Sequence, residues 1–256
     1  HGPPAAKASR MTRPALVITC EHGGKHIPAA YRALFEGQEA TLHSHRGFDA
    51  GALKMAETLA EAFGAPLVSA TVSRLLVDLN RSTHNPTLHA EVVRRLPATQ
   101  RQEILARFYQ PYRSRAEQAI RQAIADHGAV IHLSSHSFTP ELDGRLRKAD
   151  IGLLYDPRRP GEVALCQHWK AALAATAPQL AVRRNYPYAG KGDGLTAWLR
   201  RCLGPDVYVG VELEINQKHV AADGDCPALR QWLVESLREA LPHLQSHPPH
   251  AAGSPP

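Results

Sequence analysis

Ala15-Leu16-Val17-Ile18-Thr19-Cys20, running directly into Glu21-His22-Gly23-Gly24, is the stretch that decides how the rest of the chain is read. A short apolar run that ends in a polar, glycine-containing segment describes a buried strand feeding a loop. The same pattern returns in Ala129–Leu133 (AVIHL), which is followed by Ser134-Ser135-His136-Ser137. It returns again in Val207–Ile215 (VYVGVELEI), whose last residues alternate apolar and charged. Leu67–Val72, Leu75–Leu79 and Ile151–Tyr155 read as further strands. Between them lie helical patterns. Asp49 opens one, with Ala52, Leu53, Ala56, Leu59, Ala60 and Phe63 on a single stripe and Gly64 as its stop. Thr99–Asp126 is another, with Pro111 marking a kink or a boundary. Val163–Ala174 and a closing helix from Pro227 to Leu241 complete the set. Strands alternating with helices predict an α/β fold.

A chain of 256 residues is long enough to bury a sizeable core, and one domain over residues 11–244 is the simplest organisation. Residues 1–10 read as a leader foreign to the native chain, with Met11 its start. Residues 245–256, rich in His, Pro, Ala and Gly, carry no apolar period and are expected to be disordered. No apolar run approaches the roughly 20 residues that cross a bilayer, so no membrane partner is expected. Four scattered cysteines without a CxxC pair fit a reducing cytoplasm and argue against a cysteine metal site. Cys20, inside an apolar run, reads as a small buried thiol. The formal charge of +6 is spread along helix faces without aromatic interleaving. A solvated basic surface accounts for it, and no nucleic-acid partner is expected. The same charge suits a small anionic substrate.

Polar clusters at the ends of buried strands are where ligands collect in open α/β sheets. Here they are Glu21-His22, His136 and Glu212/Glu214. Two histidines and a carboxylate make a three-ligand site for a borderline divalent cation, with a fourth position left for water. A nearby carboxylate then moves protons, a combination sufficient for amide hydrolysis. Each residue also has a plainer role. His22 can orient a turn, and His136 can be a hydrogen-bonded structural histidine. His26, His43, His45 and His132 are further candidates. Glu212 and Glu214 share one face of a strand. Facing inward they are costly without a cation, and facing outward they are ordinary surface charge. Arg81 in Asp78-Leu79-Asn80-Arg81 can grip a carboxylate with two parallel hydrogen bonds, or simply pair with Asp78. Asn185–Gly194 (NYPYAGKGDG), with Tyr188 and Asp193, suits a specificity loop. Its glycine spacing does not make a nucleotide-binding motif.

Seven blocks in consistent order resemble the N-formylglutamate amidohydrolase family: CEHGGKHIP (Cys20–Pro28), HRGFDAGA (His45–Ala52), VDLNRS (Val77–Ser82), HLSSHSFTP (His132–Pro140), DIGLLYDPRRP (Asp150–Pro160), NYPYAGKGDG (Asn185–Gly194) and VELEINQ (Val211–Gln217). The resemblance implies a three-layer α/β/α fold like the zinc carboxypeptidases, with a central mixed sheet. It implies one divalent metal ion, Zn²⁺, and hydrolysis of an N-formyl or N-acyl amino acid, with formate and glutamate released in the type reaction. On it, His22 and His136 match the histidine ligands, Glu214 the water-activating carboxylate, and Asn80 with Arg81 the pair that holds the substrate's carboxylate. Arg145 or Arg200 would assist. One departure stands out: Lys25 occupies the place of the acidic ligand in the carboxypeptidase HxxE pattern. Asp49 is therefore taken as the third ligand, ahead of Glu21, which as an extended neighbour of His22 should point the other way. Related readings keep the fold and metal with another N-acyl or peptide-like amide, or make the scaffold a non-catalytic small-molecule binder.

Overall fold

Alternation along the two longest strands organises the molecule. In the computed structural model, which describes residues 14–246, these are β3 (Val130–Phe138) and β8 (Tyr208–Asn216). The other strands are β1 (Ala15–Cys20), β2 (Leu67–Ser69), the short pair β4 (Glu141–Leu142) and β5 (Arg145–Leu146), β6 (Ile151–Leu154) and β7 (Val182–Arg184). The main sheet has the order β2-β1-β3-β8-β6-β7, and β4 and β5 form a separate hairpin. All neighbours in the main sheet run parallel except β6, which is antiparallel to β8. The sheet is therefore mixed, as expected.

Among the described residues eight α-helices accompany it: α1 (Glu39–His43), α2 (Ala52–Phe63), α3 (Glu91–Arg94), α4 (Ala98–Ile104), α5 (Gln110–His127), α6 (Pro160–Thr176), α7 (Leu195–Cys202) and α8 (Pro227–Ala240). Because side chains alternate across a strand, one face of the sheet presents Ile131, Leu133, Val211, Leu213 and Ile215 to a core shared with α2, α6 and α8. The opposite face packs Val17, Val130 and Tyr208 with residues of α5 and α7. On that second face the apolar column gives way, toward the strands' carboxyl ends, to His132, Ser134 and His136 of β3 and to Glu212 and Glu214 of β8. All five are buried. The three layers thus bring polar side chains to one end of the sheet's two central strands.

Several expectations are corrected. Leu75–Leu79 is not a strand but a turn-rich segment. Leu76, Val77 and Leu79 are nonetheless buried, so the apolar run reported burial rather than conformation. The strand expected over 67–72 stops at Ser69, and Val72 makes only an isolated bridge to His26. β3 does not end at Leu133. It continues to Phe138 because β8 pairs with it throughout, and the serines and His136 are strand residues rather than loop residues. Asp49 lies ahead of α2, separated from it by Gly51, whose φ of 81° sets the helix entry. Pro111 sits in the first turn of α5, where a π-helical turn, Leu105–Tyr109, joins it to α4. β7 and α7 went unread because each is short and flanks the glycine-rich loop. Gln245 and Ser246 close a 3₁₀ turn, Leu241–Ser246. The rest of the expected tail and the expected leader lie outside the described residues. Among the described residues no helix is long and apolar enough to cross a membrane.

Candidate functional site

His22 follows β1, Asp49 precedes α2, and His136 lies on β3. The three are buried, and one donor atom from each lies within 4.8 Å of the others. Asp49 Oδ2 is 3.3 Å from His22 Nδ1 and 2.9 Å from His136 Nδ1. The far nitrogen of each ring is turned to its own acceptors. His22 Nε2 is 2.6 Å from Asp78 Oδ1. His136 Nε2 is 2.8 Å from Ser134 Oγ and 3.5 Å from Glu21 Oε1. A metal-binding histidine characteristically hands its second N–H to a carboxylate, carbonyl or water, which fixes the tautomer and frees the other nitrogen's lone pair. The donor set also has the two-nitrogen, one-carboxylate chemistry that suits zinc. The residues present therefore fit a divalent cation.

Charge balance points the same way. Asp49 and Asp78 would be raised by burial, yet His22 at both, with His136 at Asp49 and Arg74 at Asp78, holds them well below the usual carboxylate range. Arg74 reaches both acids, at 3.4 Å from Asp49 Oδ1 and 3.1 Å from Asp78 Oδ2. Glu214 has no such relief. Burial, reinforced by Asp49 and Glu212 and opposed by His136 and Arg74, pushes its carboxyl up to about 8. Its Oε2 is buried without a hydrogen-bond partner among the described residues. An orphaned carboxylate oxygen in the neighbourhood of His136 is a group lacking a proton or a cation. Strand pairing brings it there, since His136 and Glu214 are direct partners on parallel strands and share a face.

A cavity of about 780 Å³ opens over this cluster. Its walls include His22, Asp49, Glu212 and Glu214, and also Asn80, Arg81, Tyr188 and Asp193. Of the proposed ligands, His136 is absent from the lining; it reaches the cluster through Asp49.

A model of the N-formylglutamate amidohydrolase family matches residues 14–221. The chain belongs to that family. It is accordingly an amidohydrolase, and the matched region contains every residue of the cluster and of the cavity wall. Among solved structures, a gene product from Agrobacterium tumefaciens is 31% identical, with a TM-score of 0.79 over 92% of this chain and 93% of that one. An N-formylglutamate amidohydrolase from Ralstonia eutropha JMP134 is 21% identical, with a TM-score of 0.66 over 91% and 94%. No curated protein matches the chain.

Some residues of this amidohydrolase occupy places other than those expected. Asp78 pairs with His22 and Arg74 rather than with Arg81. Arg81 donates instead to the carbonyls of Asn80 and Asp193, both at 3.0 Å. Asp193 Oδ2 accepts from Ser82 N at 2.9 Å and from Asn85 Nδ2 at 2.8 Å, so it clasps the 185–194 loop to the segment after Asn80. Asn80 is held at both ends of its amide, by Glu212 Oε1 at 3.2 Å and by Leu195 N at 2.8 Å. Arg200 is buried against Glu162 and carbonyl oxygens, and Arg145 is exposed on β5; neither lines the cavity. His132 sits between Thr19 and Tyr208, both at 2.7 Å, and burial holds its imidazole down at about 4, a neutral structural role. Cys20 is a buried free thiol. Glu21, set behind His136, also accepts from Tyr112 at 2.7 Å.

Arg74, Asp78 and Ser134 were not read from the sequence as site residues. Arg74 lay in the gap between two segments read as strands, Leu67–Val72 and Leu75–Leu79. Asp78 was seen only as a partner for Arg81. Ser134 is two residues before His136 on the same strand, and that period-two spacing was the available signal.

Proposed function

We propose that this amidohydrolase cleaves the amide bond of N-formyl-L-glutamate or a closely related N-acyl amino acid, with one divalent cation, Zn²⁺, held by His22, His136 and Asp49. The observation that carries the reading is the convergence of both Nδ1 atoms on one oxygen of Asp49 while each Nε2 faces its own acceptor. A bound divalent cation supplies Lewis acidity, polarising a carbonyl oxygen and lowering the pKa of a water. The remaining work falls to the chain's own groups. Glu214 takes a proton at Oε2 from the attacking water and returns it to the departing amine, a duty suited to a carboxyl with a raised pKa. Arg81, fixed by two backbone carbonyls, offers its remaining N–H groups to the substrate's α-carboxylate. Asn80 positions Glu212 and the start of α7, and Tyr188 and Asp193 shape the far wall.

Elemental analysis of purified protein, joined to a formate-release assay on N-formyl-L-glutamate, tests the reading. About one zinc per chain, with turnover abolished by a chelator and restored by Zn²⁺, is the expected result. A panel of N-formyl and N-acyl amino acids assigns the acyl group. Formate release that survives complete removal of divalent metal contradicts the proposal.

A further inference from the structure

A second cavity, of about 490 Å³, opens where the turn before α6 meets α7 and the 185–194 loop. Its lining sets Arg158, Arg159, Lys191, Arg200 and Arg201 against one acid, Asp156. None of these cations lines the catalytic cavity. They come from the blocks Asp150–Pro160 and Asn185–Gly194 and from α7, and the amide hydrolysis proposed above gives them no duty.

Two of them are already spent. Arg158 grips Asp156 through Nε and Nη2, at 3.1 and 2.9 Å, and Arg200 is buried on Glu162 at 2.9 Å. Arg159, Lys191 and Arg201 make no ion pair among the described residues. Arg159 is half-buried and donates to main-chain carbonyls, of Tyr208 at 3.2 Å, Arg200 at 2.6 Å and Leu203 at 2.8 Å. Those bonds fix the plane of its guanidinium and leave its charge unanswered. Arg201 lies over the Trp198 ring, 5.6 Å from the centroid, and Lys191 is exposed on the loop.

Like charges gathered around one concavity repel, and a shared multivalent anion relieves all of them at once. Guanidinium forks match phosphate oxygens, and an ammonium adds a point charge. Helix α6, 17 residues long, starts at this rim without a capping side chain, so its dipole adds to the positive potential. The loop joins this pocket to the catalytic one. Gly190 O accepts from Arg200 Nη1 at 2.7 Å, Lys191 lines the basic pocket, and Gly192 and Asp193 line the catalytic cavity.

We propose that the basic pocket is a second ligand site, for a multivalent phosphate anion held by Arg159, Lys191 and Arg201, and that its occupancy steadies the 185–194 loop against the substrate. The site stands apart from the amidohydrolase reading, whereas its effect on the substrate rests on that reading.

Calorimetry on the zinc-loaded protein measures Kd for inorganic phosphate, pyrophosphate and ATP at one ionic strength, for wild type, Arg201→Met and Lys191→Met. Wild type should bind pyrophosphate more tightly than phosphate, and each substitution should weaken that binding roughly 5- to 50-fold. The substitutions lie on different elements, so a local loss of structure in one leaves the other decisive. Heat from an anion meeting the metal is common to all three proteins and cancels in the comparison. ATP binding tighter than pyrophosphate assigns the phosphates to a nucleotide, and the reverse assigns a free polyphosphate. No binding by wild type, or Kd values unchanged in both variants, overturns the site. Saturating phosphate should lower KM for N-formyl-L-glutamate in wild type roughly 5-fold relative to its effect on Arg201→Met, with kcat little changed. An equal response in the two proteins overturns the coupling. Wild type that hydrolyses no formyl compound defeats the catalytic reading instead, and the calorimetry still decides the pocket.

Discussion

The imidazole of His22 is held from outside by Asp78, with Nε2 and Oδ1 2.6 Å apart, and Nδ1 is thereby turned toward Asp49. Removing such an orienting carboxylate commonly costs about 10–100-fold in metal affinity. Asp78→Ala should therefore weaken Zn²⁺ binding by that factor in a competition titration against a chromophoric chelator. An unchanged Kd would mean that Asp78 serves only Arg74.

Glu214 holds a proton-accepting oxygen that has no hydrogen-bond partner among the described residues. Glu214→Gln preserves shape and removes the basicity. It should retain zinc at about one equivalent while turnover falls roughly 10²–10⁴-fold. Full activity in this variant removes Glu214 from the mechanism.

Gly152 lies beside Glu214 across the β6–β8 pairing. A methyl group there would collide with the carbonyl oxygen of Tyr186 and stand 3.3 Å from Glu214 Cβ. A backbone carbonyl cannot swing aside as a flexible side chain can. Gly152→Ala should then destabilise the fold by about 1–3 kcal/mol, as overpacking does, and displace the loop that carries Tyr188. Chemical denaturation gives the first effect, and KM for the formyl substrate gives the second.

Stability should fall on mild acidification through His132. Burial keeps its folded-state pKa down at about 4, whereas the unfolded chain titrates near 6.5. Above about pH 6.5 both states are neutral there and the contribution is fully present. Below it the unfolded state binds the extra proton, and stability declines by about 1.4 kcal/mol per pH unit until the folded state also protonates. Denaturation curves from pH 7 to 4.5 should be steeper for wild type than for His132→Asn. Parallel curves would assign the acid sensitivity to other groups.

Much of the fold was legible because burial writes itself into apolar runs. Ala15–Cys20, Ile151–Leu154 and Tyr208–Asn216 lie where their composition puts them. Leu75–Leu79 shows the limit of that signal, since a buried turn needs the same apolar residues as a buried strand. His22, His136 and Glu214 could be named in advance as polar residues at the ends of such runs, and Asp49 through the family resemblance of its block. Their partners could not. Arg74, Asp78 and Ser134 hold their places through contacts such as His22 with Asp78, 56 positions apart.

His136 and Glu214 sit side by side as direct partners on adjacent strands. The gap between them is therefore governed by the spacing of neighbouring strands, about 4.8 Å in any sheet, and not by the choice of surrounding side chains. Drift in the rim segments can retune which molecules are admitted while this separation stays constant. The scaffold in effect quarantines its reactive pair from the variability of its entrance.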